Sequence, residues 1–172
     1  HAAARLDGLE IAATLLGVAR LAYCGPVLHT RAEGALASRE LLQFGAEVYG
    51  HAGLEADLEV IDLALDALGA AGIGGVLLDL ADARVLRALL AGALVDEEGR
   101  AAIAAALARK DAPTLAEATR GLADEARNGL AALLRLYGGS EVIAAAREAL
   151  PQREPIARAL DELAGLAAQV QR

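Results

Sequence analysis

Leu54, Leu58, Ile61, Leu65 and Leu68 recur at helical spacing, while Glu55, Glu59, Asp62 and Asp66 fall on the opposite side. That is one apolar stripe of an amphipathic helix, and Gly72 is placed to end it. Upstream the period changes to two. Over 39–49, Leu41, Gln43, Gly45, Glu47 and Tyr49 alternate with Leu42, Phe44, Ala46 and Val48, which predicts a strand with one apolar face and one face unlike a core. Over 20–31, Leu21, Tyr23, Val27 and Leu28 surround Gly25-Pro26 and predict another strand, kinked or bulged where proline removes a ladder donor. A small-residue loop with Gly34 joins the two as an antiparallel hairpin, whose apolar face is expected to pack on something. Ahead of it, Leu6, Leu9, Ala13 and Leu16 predict a short helix over 2–16.

Gly75-Val76-Leu77-Leu78-Asp79-Leu80 is a continuous apolar run that reads as a short buried strand, and everything beyond it reads as helix. Helices are expected over 82–93 and 96–109, then from Pro113, with Thr114 and Glu117 at capping-box spacing. Further ones cover 128–137, stopped by Gly138-Gly139, and 140–150, capped by Ser140. A last begins at Pro155 with Ile156, Leu160, Leu163 and Val170 inward. The expected class is therefore α/β in the α+β sense: strands in residues 1–81, a helical subdomain over 82–172, and no repeat of solenoid length. Three strands leave sheet edges open, so further strands are expected to be missing or supplied by another chain.

Composition narrows the partners. Hydrophobic residues make up 56% of the 172 and charged residues 23%, too apolar for disorder. The four aromatics are Tyr23, Phe44, Tyr49 and Tyr137, so the core must be aliphatic. The longest candidate for a membrane span, Ile73 to Val95, is broken by Asp79, Asp82, Arg84 and Arg87, and the chain reads as soluble and globular. A net charge of −8 with no basic run argues against nucleic acid. Cys24 is the only cysteine and cannot form an internal disulfide. With no secretory leader pattern, a cytoplasmic location is expected. The chain starts at His1 and holds no methionine, which reads as a trimmed chain or part of a longer one. His29 and His51 lack metal-ligand spacing, no metal or cofactor is expected, and His29 reads as a hydrogen-bonded strand residue rather than a base. Taken alone, Gln43 and Glu47 also fit a solvated strand face.

Gly25-Pro26-Val27-Leu28-His29-Thr30-Arg31, followed by Arg39-Glu40-Leu41-Leu42-Gln43-Phe44-Gly45-Ala46-Glu47-Val48-Tyr49-Gly50, resembles the motif 2 hairpin of the histidyl-tRNA synthetase family. The segments Tyr23-Cys24-Gly25-Pro26-Val27-Leu28-His29-Thr30, Ala56-Asp57-Leu58-Glu59-Val60-Ile61 and Leu136-Tyr137-Gly138-Gly139-Ser140-Glu141-Val142 are most similar to one branch of that family. Its members are the regulatory paralogues that serve ATP phosphoribosyltransferase and no longer charge tRNA. The resemblance runs from about Ile11 to Ala168 and is most specific in the hairpin. It implies a partial class II synthetase-like antiparallel sheet with a helix-rich second half. Motif 1, motif 3 and the histidine signature of the family are not in these residues.

The resemblance also carries expectations of chemistry. A working synthetase has an arginine gripping the ATP α-phosphate where His29 stands and a glutamate where Arg31 stands. An imidazole is mostly neutral at pH 7, so the fixed charge opposite a reacting phosphoryl oxygen is lost and adenylation is not expected. In the family, the Gln and Glu of Gln-x-Gly-x-Glu line the histidine pocket; those positions are Gln43 and Glu47. Ala81-Asp82-Ala83 replaces the Gly-His that the family places ahead of its next helix. The resemblance thus implies a non-catalytic subunit in a hetero-oligomer with the short-form catalytic subunit of ATP phosphoribosyltransferase, making the first step of histidine biosynthesis responsive to free histidine. Two other classes stay open on sequence: a synthetase-like ligase fragment making histidyl-adenylate, and a truncated or engineered helical scaffold that binds nothing.

Overall fold

A computed structural model describes residues 17–30 and 38–170, which hold two strands and seven helices. The expected helix over 2–16, the loop around Gly34 and Arg31 lie outside the described residues. The chain divides into two compact units between Val76 and Leu77.

In the first unit, β1 (Ala19–Leu28) and β2 (Glu40–Tyr49) form the expected antiparallel hairpin. Its register runs without interruption from Ala19 opposite Tyr49 to Leu28 opposite Glu40, so the expected kink or bulge at Gly25-Pro26 is absent. The pairing explains why. The His29 N–H donates to the Arg39 carbonyl at 2.7 Å, which makes that pair a hydrogen-bonded one. Bonded and non-bonded pairs alternate along an antiparallel ladder, so Pro26 and Leu42 meet as a non-bonded pair. Proline lacks a donor that the ladder does not use there.

The helix α1 (Leu54–Ala70) packs against β2, and Gly72 follows it in the left-handed conformation, φ 77°. Arg20 of β1 donates from Nη2 to Glu59 Oε2 at 2.8 Å, with a second bond from Nε, fastening strand to helix. The leucine stripe of α1 is half-buried, and no described side chain in this unit is fully buried. The apolar strand face is likewise incomplete: Leu28, Leu42 and Phe44 are 71%, 75% and 60% exposed. The two described strands and the one described helix of this unit do not cover it.

The expected third strand over 75–80 does not form. That segment is irregular, and Leu77 is 87% exposed. An apolar run becomes a strand only when a neighbour satisfies its backbone groups, and no described element pairs with it.

The second unit contains α2 (Ala83–Leu89), α3 (Glu97–Ala108), α4 (Ala112–Ala118), α5 (Asp124–Leu133), α6 (Val142–Ala149) and α7 (Glu154–Val170). Aspartates set its starts. The Asp82 side chain accepts from Arg84 N–H at 2.7 Å, Asp96 from Gly99 N–H at 2.8 Å and Asp111 from Thr114 N–H at 3.0 Å. Asp111 therefore takes the capping role expected of Thr114, and leaves Pro113 in the first turn where no donor is required. Leu89, Ile103, Leu130 and Ile156 are at most 2% exposed and centre the core. Thr119, buried with them, donates its hydroxyl to the Leu115 carbonyl at 2.7 Å. Two arginines bind helices together at the rim. Arg84 bridges its own cap Asp82 and Glu162 of α7. Arg153 donates to the Ala88 carbonyl at 2.7 Å and to Glu125 of α5. Lys110, in the left-handed region at φ 54°, holds its ammonium 3.4 Å from the centre of the Tyr137 ring.

The caps predict an acid response. Hydrogen bonds from Arg84 hold the Asp82 carboxyl below its ordinary value, against a smaller opposing effect of burial. A carboxyl depressed in the folded state stabilises fully above its unfolded pKa, about 4, and this contribution is lost as pH falls through the lower folded value. Thermal unfolding of the second unit should show a midpoint that drops below about pH 4. Asp82→Asn, which keeps an oxygen for the cap, should respond less. An identical acid response in the variant would refute the assignment.

Candidate functional site

The two-residue period of β2 puts Gln43, Gly45, Glu47 and Tyr49 on one face, and the register adds the facing residues of β1: Leu21 opposite Glu47, Tyr23 opposite Gly45 and Gly25 opposite Gln43. Glu47 is the only charged group among the described strand residues of this face. The two glycines leave bare backbone in the middle of it. A Cβ on Gly25 would meet nothing within 4 Å. A Cβ on Gly45 would fall 2.5 Å from the Tyr23 hydroxyl oxygen and 2.6 Å from ring carbon Cζ. The Tyr23 ring thus lies directly over the Gly45 backbone, in space that a side chain at position 45 would take from it.

Each polar group of the face is held by a tyrosine. Gln43 Nε2 donates to the Tyr23 hydroxyl at 3.0 Å, and the Tyr49 hydroxyl donates to Glu47 Oε2. The bond to Glu47 pushes the Tyr49 hydroxyl above its ordinary pKa, with a smaller contribution from burial. Chemically the face offers one carboxylate, able to accept from an ammonium or an imidazole N–H, and one amide, able to donate and accept. It offers no nucleophile with an adjacent base, and among the described residues no cluster of three His, Cys, Asp or Glu is arranged to hold a metal.

The other residues singled out by sequence lie apart from this face or serve structure. His29 is half-buried at the end of β1, where its carbonyl accepts from Arg39 Nε at 3.1 Å. His51 Nε2 lies 3.3 Å from Glu55 Oε2 in the turn before α1. Cys24 is exposed on the opposite face, across from Phe44. Asp82, in the turn that departs from the family pattern, is used as the α2 cap. Sequence reasoning brought Gln43 and Glu47 to one face and placed Tyr49 beside them. It missed Tyr23 as their neighbour. Only the cross-strand register, which pairs Tyr49 with Ala19, places Tyr23 over Gly45.

A family model described as histidyl-tRNA synthetase matches residues 2–172. The chain is 54% identical over 155 residues to the ATP phosphoribosyltransferase regulatory subunit of Variovorax paradoxus, covering 90% of this chain and 40% of that one. It is 56% identical over 152 residues to the protein of the same name from Ralstonia nicotianae, covering 88% and 39%. The chain therefore spans about 40% of the length of the relatives it matches. Among solved structures, an ATP phosphoribosyltransferase regulatory subunit/histidyl-tRNA synthetase from Bacillus halodurans superposes with a TM-score of 0.73 at 30% identity, over 95% of this chain and 42% of that one.

Proposed function

The chain belongs to the histidyl-tRNA synthetase family, and from that premise we propose that it acts within a non-catalytic regulatory subunit of ATP phosphoribosyltransferase. It binds the short-form catalytic subunit, activates it, and relays feedback by histidine on the first step of histidine biosynthesis. Gln43 and Glu47 are the histidine-binding residues. The observation that carries this reading is the name shared by relatives at 54–56% identity. The face of β2 supports it, because a carboxylate and an amide flank a glycine covered only by the exposed Tyr23 side chain, and together they offer the donor and acceptor groups a small amphoteric ligand needs.

His29 in place of a phosphate-gripping arginine supports regulation over adenylation. Without a fixed positive charge opposite the reacting phosphoryl oxygen, the main electrostatic stabilisation of that chemistry is lost. Feedback requires that histidine bind one state of the assembly better than another, since equal affinity for both shifts nothing.

The test is a titration of the folded chain into a short-form catalytic subunit, following phosphoribosyl-ATP formation with and without histidine. Activation that histidine reverses is the expected result. No change in rate, or histidine-dependent pyrophosphate exchange by the chain itself, would overturn the reading.

A further inference from the structure

We propose that Tyr23 gates the histidine site: its ring fills the space over Gly45 and its hydroxyl holds Gln43, so that histidine competes with Tyr23 for the site. The inference rests on Gln43 and Glu47 being the binding residues and adds how access to them is controlled.

Three observations converge. The space between Gln43 and Glu47 is the Gly45 backbone, and a Cβ built there would sit 2.5–2.9 Å from three atoms of Tyr23. A ligand ring lying on that glycine would meet the same atoms. The amide that would orient the ligand is already engaged, because Gln43 Nε2 donates to the Tyr23 hydroxyl at 3.0 Å. The tyrosine is nevertheless able to leave, since it is 48% exposed and the hydrogen bond from Gln43 to its hydroxyl is an exposed one that water can replace. An exposed side chain of this kind changes rotamer without opening the ladder beneath it.

The energetics follow from population. When only a fraction of molecules have the site open, the apparent dissociation constant rises by the inverse of that fraction. Tyr23→Phe removes the bond to Gln43 but keeps the ring over Gly45; Tyr23→Ala removes both. Histidine should bind about fivefold more tightly to the Phe variant and about tenfold or more to the Ala variant than to the unaltered chain. An aromatic ring across from a strand glycine can also simply stabilise the sheet. That role predicts the opposite order, with Ala weakest and Phe unchanged.

The experiment is calorimetric titration of histidine into the full chain and both variants, with circular dichroism confirming equal helix content. It is paired with fluorine NMR of the chain labelled with 3-fluorotyrosine. The Tyr23 resonance, assigned by its loss in Tyr23→Phe, should move on adding histidine. Affinity rising from the unaltered chain through Phe to Ala, with that resonance shifting, is the expected result. Histidine binding to the unaltered chain with equal or weaker binding in both variants overturns the gate alone. No binding in any of the three overturns the site assignment together with the gate.

Discussion

Leu130→Ala is expected to destabilise the helical unit by about 2–5 kcal/mol, the cost of deleting buried methylene groups and leaving a cavity. Leu130 is fully buried near the end of α5, in one apolar cluster with Leu89, Ile103 and Ile156. The cluster is aliphatic throughout, with no aromatic ring to spread over a gap, so removed volume is not readily refilled. A domain of this size is stabilised by about 5–15 kcal/mol in all, and the thermal midpoint should fall by more than about 10 °C. Leu94→Ala is the matched control, because Leu94 lies fully exposed beyond α2. The same truncation there should change stability by less than about 0.5 kcal/mol. Equal midpoint shifts for the two variants, followed by circular dichroism, would refute the placement of the core.

Glu47→Ala is expected to abolish histidine sensitivity while leaving association with the catalytic subunit intact. Glu47 supplies the only charge among the described strand residues of its face, and a hydrogen bond to a charged group contributes about 1.5–3 kcal/mol, so histidine affinity should fall by about tenfold or more. The side chain is exposed, and apart from the tyrosine that donates to it nothing in the hairpin depends on it. Its loss should therefore spare the fold and the assembly. The measurement is the histidine inhibition curve of the reconstituted complex, alongside co-elution of the two subunits. Unchanged inhibition would sink the assignment of Glu47, and lost co-elution would show that it serves the interface instead.

What the sequence made legible depended on whether the deciding interactions were local. The hairpin was legible because period-two alternation and the glycine-flanked turns sit within one short stretch, and α1 because its apolar stripe runs from Leu54 to Leu68 along most of a 17-residue helix. At its start α4 begins at Ala112, one residue before the expected Pro113, but the cap falls on Asp111 and not on Thr114; both are good caps, and only the position of Pro113 in the first turn favours the aspartate. The segment 75–80 was misread for a deeper reason. Val76, Leu77 and Leu78 are apolar enough for a strand, but strand formation is decided by a partner, and partners are not written in the segment itself. Gly25-Pro26 failed in the other direction, because whether a proline disrupts a ladder depends on which kind of pair it occupies. In the candidate site, Gln43 and Glu47 could be placed together from alternation alone. Tyr23 could not, since its position over Gly45 follows from cross-strand register.

Lys110 is the single lysine of the chain, and its ammonium is the group lying on the Tyr137 ring. Chemical labelling of this chain therefore becomes a position-specific instrument. Besides the terminal amine, an acylating reagent has one side-chain amine to modify, between α3 and α4, and reaction there converts the cation to a neutral amide and removes its attraction for the aromatic face. The rate of that one acylation reads how often the turn before α4 lets go of the turn after α5.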